Sequence, residues 1–233
     1  MKIYAVKIVD INEDKLLYLC SSIDLEKNKR IVKFIDKKDK IRTLIGDILV
    51  RIIIANELNI NNECIIFDKN QYGKPYLKNY PKFHFNISHS GDFVVCAIDK
   101  NPIGIDIEKI KYIEYRDIAK RYFTMNESKY IIEKDLSAQL TRFYEIWTLK
   151  ESYIKCIGQG LSIPLKSFSI NMDKYKNIES IEDYENNRYF LKLLELDLNY
   201  KIAVCSLNKE ILDNIDIIDQ SDLINKYLKY NLD

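Results

Sequence analysis

The sequence is poor in the residues that interrupt regular structure. Its 233 residues include four prolines and six glycines, so no Pro-rich or Gly-rich linker marks a domain boundary. No apolar run is long enough to span a membrane. The N-terminal segment MKIYAVKIVD alternates like a strand and lacks the apolar core of a secretion signal, so we expect a cytoplasmic protein without membrane contact.

Zinc ligands and an excess of charge are missing as well. The two histidines and five cysteines are scattered, and no pair has metal-ligand or redox spacing, so we interpret the cysteines as reduced thiols. The 36 basic and 35 acidic residues almost balance. Nucleic-acid-binding proteins usually carry a clear basic excess, so no nucleic-acid partner is expected.

The order of periodic segments predicts an α+β protein with antiparallel sheets. A break near residue 100 would give two halves of comparable size, 1–100 and 101–233. The expected strands are 2–9, the two arms of a hairpin within 84–99 that turns at 88–92, then 103–108, 167–172, 188–197 and 201–207. The expected helices are 23–36, 43–58, 115–123, 126–133 and 137–157.

The segment IGIDIEK (103–109) carries two acidic residues on one side of a predicted strand. Because side chains alternate along a strand, Asp106 and Glu108 share one face and the isoleucines share the other. A half-buried strand with a wet face is the simpler interpretation. Two carboxylates held on a rigid strand to bind a metal ion fit the same pattern.

The predicted helix 137–157 places a carboxylate within its apolar stripe. The stripe consists of Leu140, Phe143, Tyr144, Trp147 and Ile154, which recur at helical spacing. Glu151 falls inside this stripe, where a carboxylate costs free energy unless it is paired, hydrogen-bonded or bound to metal. An ion pair with Lys155, four residues later, is one explanation, and a metal ion is the other.

The three carboxylates form a plausible oxygen-only ligand set for a hard cation such as Mg²⁺. His89 lies in the segment SHSG, which we interpret as a turn whose backbone N–H groups and Ser88 hydroxyl could hold an anion. A surface turn histidine fits the same segment. Taken singly, the basic residues at 27, 29, 30, 42 and 74 are ordinary surface charges. Taken together, these features suit a ligand with several phosphates and a bridging metal.

Three segments resemble one known family closely. FNISHSGDFVV, PIGIDIEKI and FYEIWTLKESYIKCIGQGLSIPL are similar to the 4′-phosphopantetheinyl transferases of the large, surfactin-synthetase-activating type. The family pattern is Gly-x-Asp-x-Glu followed by Trp-x-x-Lys-Glu-x-x-x-Lys, and it falls here on residues 104–108 and 147–155. The paired motifs are highly specific, and a looser resemblance covers residues 1 to 207.

The resemblance implies a fold, a reaction and a set of site residues. It implies two similar α/β halves related by a pseudo-twofold axis, with the active site in the cleft between them, in a monomer. The implied metal ligands are Asp106, Glu108 and Glu151. The implied contacts to coenzyme A are Lys27, Arg30, Arg42, Lys74 (near the adenine), Ser88, His89, Lys150 and Lys155 (at the diphosphate). The implied catalytic residues are Glu151, Lys155 and Glu127.

The implied reaction moves the phosphopantetheine arm of coenzyme A to a serine of an apo carrier protein, peptidyl or acyl, and releases adenosine 3′,5′-bisphosphate with the help of Mg²⁺. Such carriers serve nonribosomal peptide, polyketide or lipid biosynthesis. The serine proton needs an acceptor, and either Glu151 or Glu127 suits that role. We expect the carrier to dock near residues 110–127.

Two other classes of protein fit the same residues. A Mg²⁺-dependent phosphohydrolase or nuclease would use the carboxylates with water as the acceptor. A non-catalytic coenzyme-A-binding module would bind the nucleotide without turnover and would not need Glu151 on the apolar stripe. The transferase is the reading that the paired motifs favour.

Overall fold

The computed structural model describes residues 1–133, 135–173 and 177–230. Within these ranges the first part of the chain forms β1 (Lys2–Lys7), α1 (Glu13–Ser21), α2 (Leu25–Ile31), α3 (Lys37–Leu58), β2 (Phe67–Lys69), β3 (Pro75–Leu77), β4 (His84–Ser90) and β5 (Phe93–Asp99). The second part forms β6 (Ile103–Lys109), α4 (Tyr115–Tyr122), α5 (Met125–Ile132), α6 (Leu136–Ile157), β7 (Ile181–Glu182), β8 (Arg188–Leu194), β9 (Tyr200–Ser206), β10 (Asp216–Ile218) and α7 (Gln220–Tyr230).

Two four-stranded sheets organise the chain, and they confirm the predicted α+β class. The first sheet has the order β10-β1-β5-β4, and the second has the order β6-β9-β8-β7. Every ladder in these sheets is antiparallel except the parallel pairing of β1 with β10. Each half therefore contains one sheet and one 22-residue helix, α3 or α6.

The apolar side chains form three stacked cores. The first lies between α3 and one face of the first sheet. The second lies between the two sheets, where the isoleucines of β6 meet β1 and β5. The third lies between α6 and the outer face of the second sheet. The chain is thus layered as helix, sheet, sheet and helix, and both faces of each sheet are covered.

The segment after Ser206 returns to the first half. β10 pairs with β1, and Leu223, Ile224 and Tyr227 of α7 are buried in the core of α3. We keep the division near residue 100 as a proposal, with the addition that residues 216–230 belong to the first half in space. No helix of the described ranges is long and apolar enough to cross a membrane.

The two sheets meet at the seam, which we define as the contact between β4 and β6. No backbone ladder joins these strands within the described residues, because each is the edge of its own sheet. Three side chains of β4 accept hydrogen bonds from the backbone of β6 instead. Asn86 Oδ1 accepts from the N–H of Ile105 (2.8 Å), and the Ser88 and Ser90 hydroxyl oxygens accept from the next two alternate N–H groups, those of residues 107 and 109 (3.3 and 3.1 Å).

Gly104 lets α6 lie directly on β6. A Cβ at this position would stand 2.0 Å from the carbonyl oxygen of Ser152 and 2.4 Å from the backbone nitrogen of Cys156. Both atoms belong to the backbone of α6, so they cannot move aside as a flexible side chain would. The glycine of the motif is therefore a packing requirement that brings Glu151 and Lys155 close to Asp106.

Several predicted elements differ from the structure. Residues 88–90 are not a turn but the end of β4, because the seam uses their hydroxyls, and the hairpin turns at residues 91–92. The predicted strand 167–172 is absent; a 3-10 turn ends at Ser167 and one isolated bridge joins Met172 to Ile178. The predicted helix 23–36 is the shorter α2, and α1, β10 and α7 were not predicted.

Replacement of Gly104 by alanine tests the close approach of α6. We expect Gly104→Ala to lower the free energy of unfolding by about 1–3 kcal/mol, because the added methyl group must displace helix backbone. Chemical denaturation measures this change. Gly46→Ala is the matched control: its Cβ would meet side chains only at ordinary contact distances of 3.5 and 3.6 Å, and helix propensity favours alanine by about 1 kcal/mol. Equal stability of the two variants would contradict the packing argument.

Candidate active site

A cleft of about 310 Å³ opens at the seam between the two halves. Its walls come from β4 and β6 at the seam and from α6, which lies across β6. The lining residues are Ile87, Ser88, His89, Asp106, Glu108, Trp147, Glu151 and Lys155. Three of the eight are carboxylates, and all three are those that the sequence predicts as metal ligands.

Asp106 is the most enclosed of the three carboxylates, with 3% of its surface exposed. Its Oδ1 accepts a hydrogen bond from the Ser88 hydroxyl (3.0 Å) and pairs with Lys155 Nζ (2.6 Å). Lys155 Nζ also lies 3.0 Å from Ser88 Oγ. Asp106 Oδ2 is buried without any hydrogen-bond partner among the described residues, which is uncommon for a carboxylate oxygen.

The other two carboxylates are partly buried beside Asp106. Burial, and then the negative charge of Asp106, raises the pKa of Glu108 to about 7, although the Ser90 hydroxyl donates to its Oε2 (2.8 Å). Burial, and then Asp106, also raises the pKa of Glu151. The predicted pair between Glu151 and Lys155 is not formed within the described residues, since Lys155 reaches across to Asp106 instead.

These carboxylates fit a hard divalent cation. Burial, and then the charge of Asp106, raises the pKa of Glu108 and of Glu151, and one buried oxygen of Asp106 receives no hydrogen bond from the part of the chain that the structure describes. A cation supplies the charge and the ligand that this set lacks. In the described ranges no group of three or more His, Cys, Asp or Glu side chains is already arranged around a metal position, so the side chains would adjust when a cation binds.

Comparison with known proteins agrees with this geometry. Residues 102–205 match the model of the 4′-phosphopantetheinyl transferase superfamily, and residues 11–101 match the model of the 4′-phosphopantetheinyl transferase N-terminal region. The 4′-phosphopantetheinyl transferase Sfp of Bacillus subtilis is 38% identical over 225 residues, which cover 96% of this chain and all of that protein. The chain belongs to the 4′-phosphopantetheinyl transferase family.

More distant members agree. The 4′-phosphopantetheinyl transferase gsp of Aneurinibacillus migulanus is 37% identical and covers 94% of this chain and 91% of its own length. The human L-aminoadipate-semialdehyde dehydrogenase-phosphopantetheinyl transferase is 36% identical and covers 73% of this chain and 59% of its own length. This phosphopantetheinyl transferase is therefore an enzyme that moves phosphopantetheine from coenzyme A to a carrier protein.

Five predicted coenzyme A contacts of the transferase lie outside the cleft lining: Lys27, Arg30, Arg42, Lys74 and Lys150. Lys27 pairs with Asp47 and stands 4.6 Å from the centre of the Phe67 ring. Arg42 pairs with Asp39 and donates to the carbonyl oxygen of Gly91 (2.6 Å). Arg30 is exposed and makes no ion pair with a described residue. Ser88 and His89 do line the cleft.

Glu127 and Lys150 form a buried pair away from the cleft lining, and their roles at the site stay predictions. Glu127 Oε1 lies 2.7 Å from Lys150 Nζ, and both side chains are fully enclosed. Glu127 also accepts from the N–H groups of Thr124 (2.8 Å) and Ile170 (2.7 Å). Lys150 donates to two further backbone carbonyls, those of residues 165 and 168. The pair holds α5 and the 165–170 segment on α6, and it does not line the cleft.

Sequence reasoning missed Asn86 and Ser90 of the transferase. Both are polar side chains on the strand face that contacts β6. The signal was present: polar residues recur at every second position in NISHS (86–90), as they do in IGIDIEK. Two adjacent strands with matching alternation indicate that their polar faces meet, but the interpretation of 88–92 as a turn concealed this pattern.

Substitution of Lys150 separates a structural role from a binding role. We expect Lys150→Met to lower the free energy of unfolding by about 3–5 kcal/mol, because the Glu127 charge remains buried without its partner. Lys129→Met, at an exposed pair whose atoms are 3.5 Å apart, should change it by less than about 1 kcal/mol. Urea unfolding measures both. Wild-type stability of Lys150→Met would show that the pair does not hold the fold.

The pH dependence of metal-free stability tests the carboxylate cluster. A carboxyl group whose folded pKa is raised from 4.5 to about 7 destabilises the folded state as the pH rises through that interval. We expect Glu108→Gln to unfold at a higher temperature than wild type at pH 8 and to differ less from it at pH 4. Glu195→Gln is the charge-matched control, because Glu195 is exposed and directly follows β8. If the unfolding temperatures of Glu108→Gln and wild type differ by the same amount at pH 4 and pH 8, the burial of this charge is contradicted.

Proposed function

We propose that this transferase holds Mg²⁺ with Asp106, Glu108 and Glu151 and transfers the phosphopantetheine arm to the serine of an apo peptidyl or acyl carrier. The observation that supports this most is the convergence of three carboxylates and Lys155 in one cleft, where Asp106 Oδ2 is buried without a partner in the described ranges. When bound, the cation would neutralise the charge of the diphosphate. Every other part of the chemistry belongs to side chains of the chain.

Lys155 is the residue that suits the leaving group. Its ammonium group is partly exposed in the cleft and lies among the carboxylates. As the serine oxygen bonds to the β-phosphorus, the bond from that phosphorus to the oxygen of adenosine 3′,5′-bisphosphate breaks. Lys155 would balance the negative charge that develops on the departing bisphosphate.

Glu151 is the better acceptor for the serine proton. It lines the cleft beside Asp106 and has no ion pair with a described residue, and a position within hydrogen-bond reach of the serine is the first requirement of a general base. Glu127 is enclosed, and both of its oxygens accept hydrogen bonds within the fold, which favours Glu151 as the base.

Coenzyme A would extend from this cleft toward the first half. Ser88 and His89 stand on its wall, and we propose that they contact the nucleotide near its 3′-phosphate. Arg42 donates to the Gly91 carbonyl, two residues from His89, and so lies on the same side. Lys27 and the exposed Arg30 would add positive charge around the phosphate.

The carrier would dock on exposed apolar side chains of the 110–127 segment. Tyr112, Tyr122 and Met125 are 77%, 43% and 86% exposed, and all lie within the 110–127 segment. Because both walls of the cleft come from one chain, we propose that the enzyme acts as a monomer. Transfer assays with several carriers identify the carrier that the enzyme modifies.

The central test is transfer to a carrier in vitro. The protein is mixed with Mg²⁺, coenzyme A and an apo carrier, and mass spectrometry follows the carrier. We expect the phosphopantetheine mass increment with wild type and its loss, by a factor of about 1,000 or more in rate, with Asp106→Asn. Because Asp106 is buried, the isosteric amide is the suitable change. A wild-type rate for Asp106→Asn would overturn the ligand assignment.

The same experiment separates transfer from hydrolysis. Free phosphopantetheine that forms at the same rate with and without carrier would show that water is the acceptor. Chelation of the divalent cation should stop the transfer, and added Mg²⁺ should restore it.

A further inference from the structure

We propose that Lys74 and Asn70, in the turn between β2 and β3, are positioning residues of the transferase. They bind the C-terminal end of α6 and the start of β6, and so fix Lys155 and Glu151 relative to Asp106. The proposal concerns the Lys74 side chain, and the contact of Lys74 with the adenine stays a separate prediction. It rests on the proposed role of Lys155 at the diphosphate.

Lys74 makes three hydrogen bonds to backbone carbonyls of the second half. Its Nζ donates to the carbonyl oxygens of Lys155 (2.6 Å), Cys156 (3.0 Å) and Ile103 (3.1 Å). An ammonium group has three N–H donors, so this set uses them all. Burial lowers the pKa of Lys74, as expected for a cation enclosed against neutral dipoles rather than against a carboxylate.

The acceptors are those that a helix end leaves unpaired. The last carbonyls of an α-helix have no partner within the helix, and a positive charge is favourable there. The helix α6 ends at Gly158, which is in the left-handed conformation with a φ of 78°. Its N–H donates to the carbonyl oxygen of Ile154. Asn70 Nδ2 then donates to the carbonyl oxygen of Gly158 (2.8 Å). The turn at 70–74 therefore donates to three of the four backbone carbonyls from residue 155 to residue 158.

The bound carbonyls belong to the two elements that carry the site. Lys155 and Glu151 lie in the last two turns of α6. Ile103 is the first residue of β6, which carries Asp106 three positions later. One ammonium group thus joins the end of α6 to the start of β6, next to the place where Gly104 lets the two elements touch. Loss of Lys74 would free the end of α6 to move away from the carboxylates.

Asn70 also shapes the turn itself. Its Oδ1 accepts from the N–H groups of Tyr72 (3.0 Å) and Lys74 (2.9 Å), while its Nδ2 reaches Gly158. Asn70→Asp keeps the oxygen that accepts these two bonds and replaces the donor to Gly158 by a carboxylate oxygen, which repels the Gly158 carbonyl. This variant loosens the helix end without removing the Lys74 side chain.

A double-mutant cycle tests the proposal. The variants are Lys74→Met, Lys155→Ala and their combination, with Lys78→Met as the control at an exposed lysine beside the same turn. We expect Lys74→Met to lower kcat/KM by about 10- to 100-fold, because small displacements of a catalytic group are costly, and Lys78→Met to leave it unchanged. In the Lys155→Ala background, Lys74→Met should cost less than in wild type, because one of the two groups that it positions is already absent. Equal losses in both backgrounds would overturn the proposal.

A second donor separates positioning from adenine recognition. It is a coenzyme A analogue in which a methyl group replaces adenosine 3′-phosphate on the diphosphate. Lys74→Met should lower kcat/KM by the same factor with both donors. A loss that disappears with the methyl analogue would show an adenine contact and overturn the proposal. Circular dichroism at the assay temperature gives the folded fraction, and Asn70→Asp supplies the same comparison if Lys74→Met does not fold.

The outcome also separates this inference from the proposed function. A wild-type rate for Lys155→Ala would overturn the role of Lys155 at the diphosphate, and the positioning role with it. An impaired Lys155→Ala beside a wild-type Lys74→Met would overturn the positioning role alone.

Discussion

The structure depends on the seam, where the edge strands β4 and β6 meet without a shared backbone ladder. The side chains of Asn86, Ser88 and Ser90 accept from the backbone N–H groups of β6. Two of these side chains also donate to carboxylates: Ser88 to Asp106 and Ser90 to Glu108. Ser88 and Ser90 thus both join the two halves and orient two of the candidate ligands. The candidate site is therefore part of the contact between the halves.

Contacts at both ends keep the seam in register. At one end, the hairpin turn places Asp92 against Lys109 of β6 (2.8 Å) and the Tyr200 hydroxyl of β9 (3.0 Å). At the other end, Lys74 reaches from the first half to the backbone of α6 and β6. Between them, Gly104 lets α6 touch β6. The candidate site residues on β6 and α6 are therefore held by contacts from two turns of the first half, the hairpin turn after β4 and the turn between β2 and β3.

Local patterns predicted the long elements and the metal-ligand candidates. The apolar periodicities gave α3 and α6, and the alternation in IGIDIEK placed Asp106 and Glu108 on one face. Tertiary contacts determine the features that these patterns did not predict. Residues 88–90 have turn-forming side chains but form a strand, because β6 offers unpaired N–H groups to their hydroxyls. Lys150 belongs to the motif and Glu127 lies on α5, yet the two side chains pair in the core and do not line the cleft.

The most direct test of the account is a crystal structure of the enzyme with coenzyme A and Mg²⁺. The account predicts a cation held by Asp106, Glu108 and Glu151, with the diphosphate beside Lys155 and the Lys74 ammonium still on the carbonyls of α6. Coenzyme A bound away from this cleft, or a cation with no carboxylate of the three as a ligand, would contradict it.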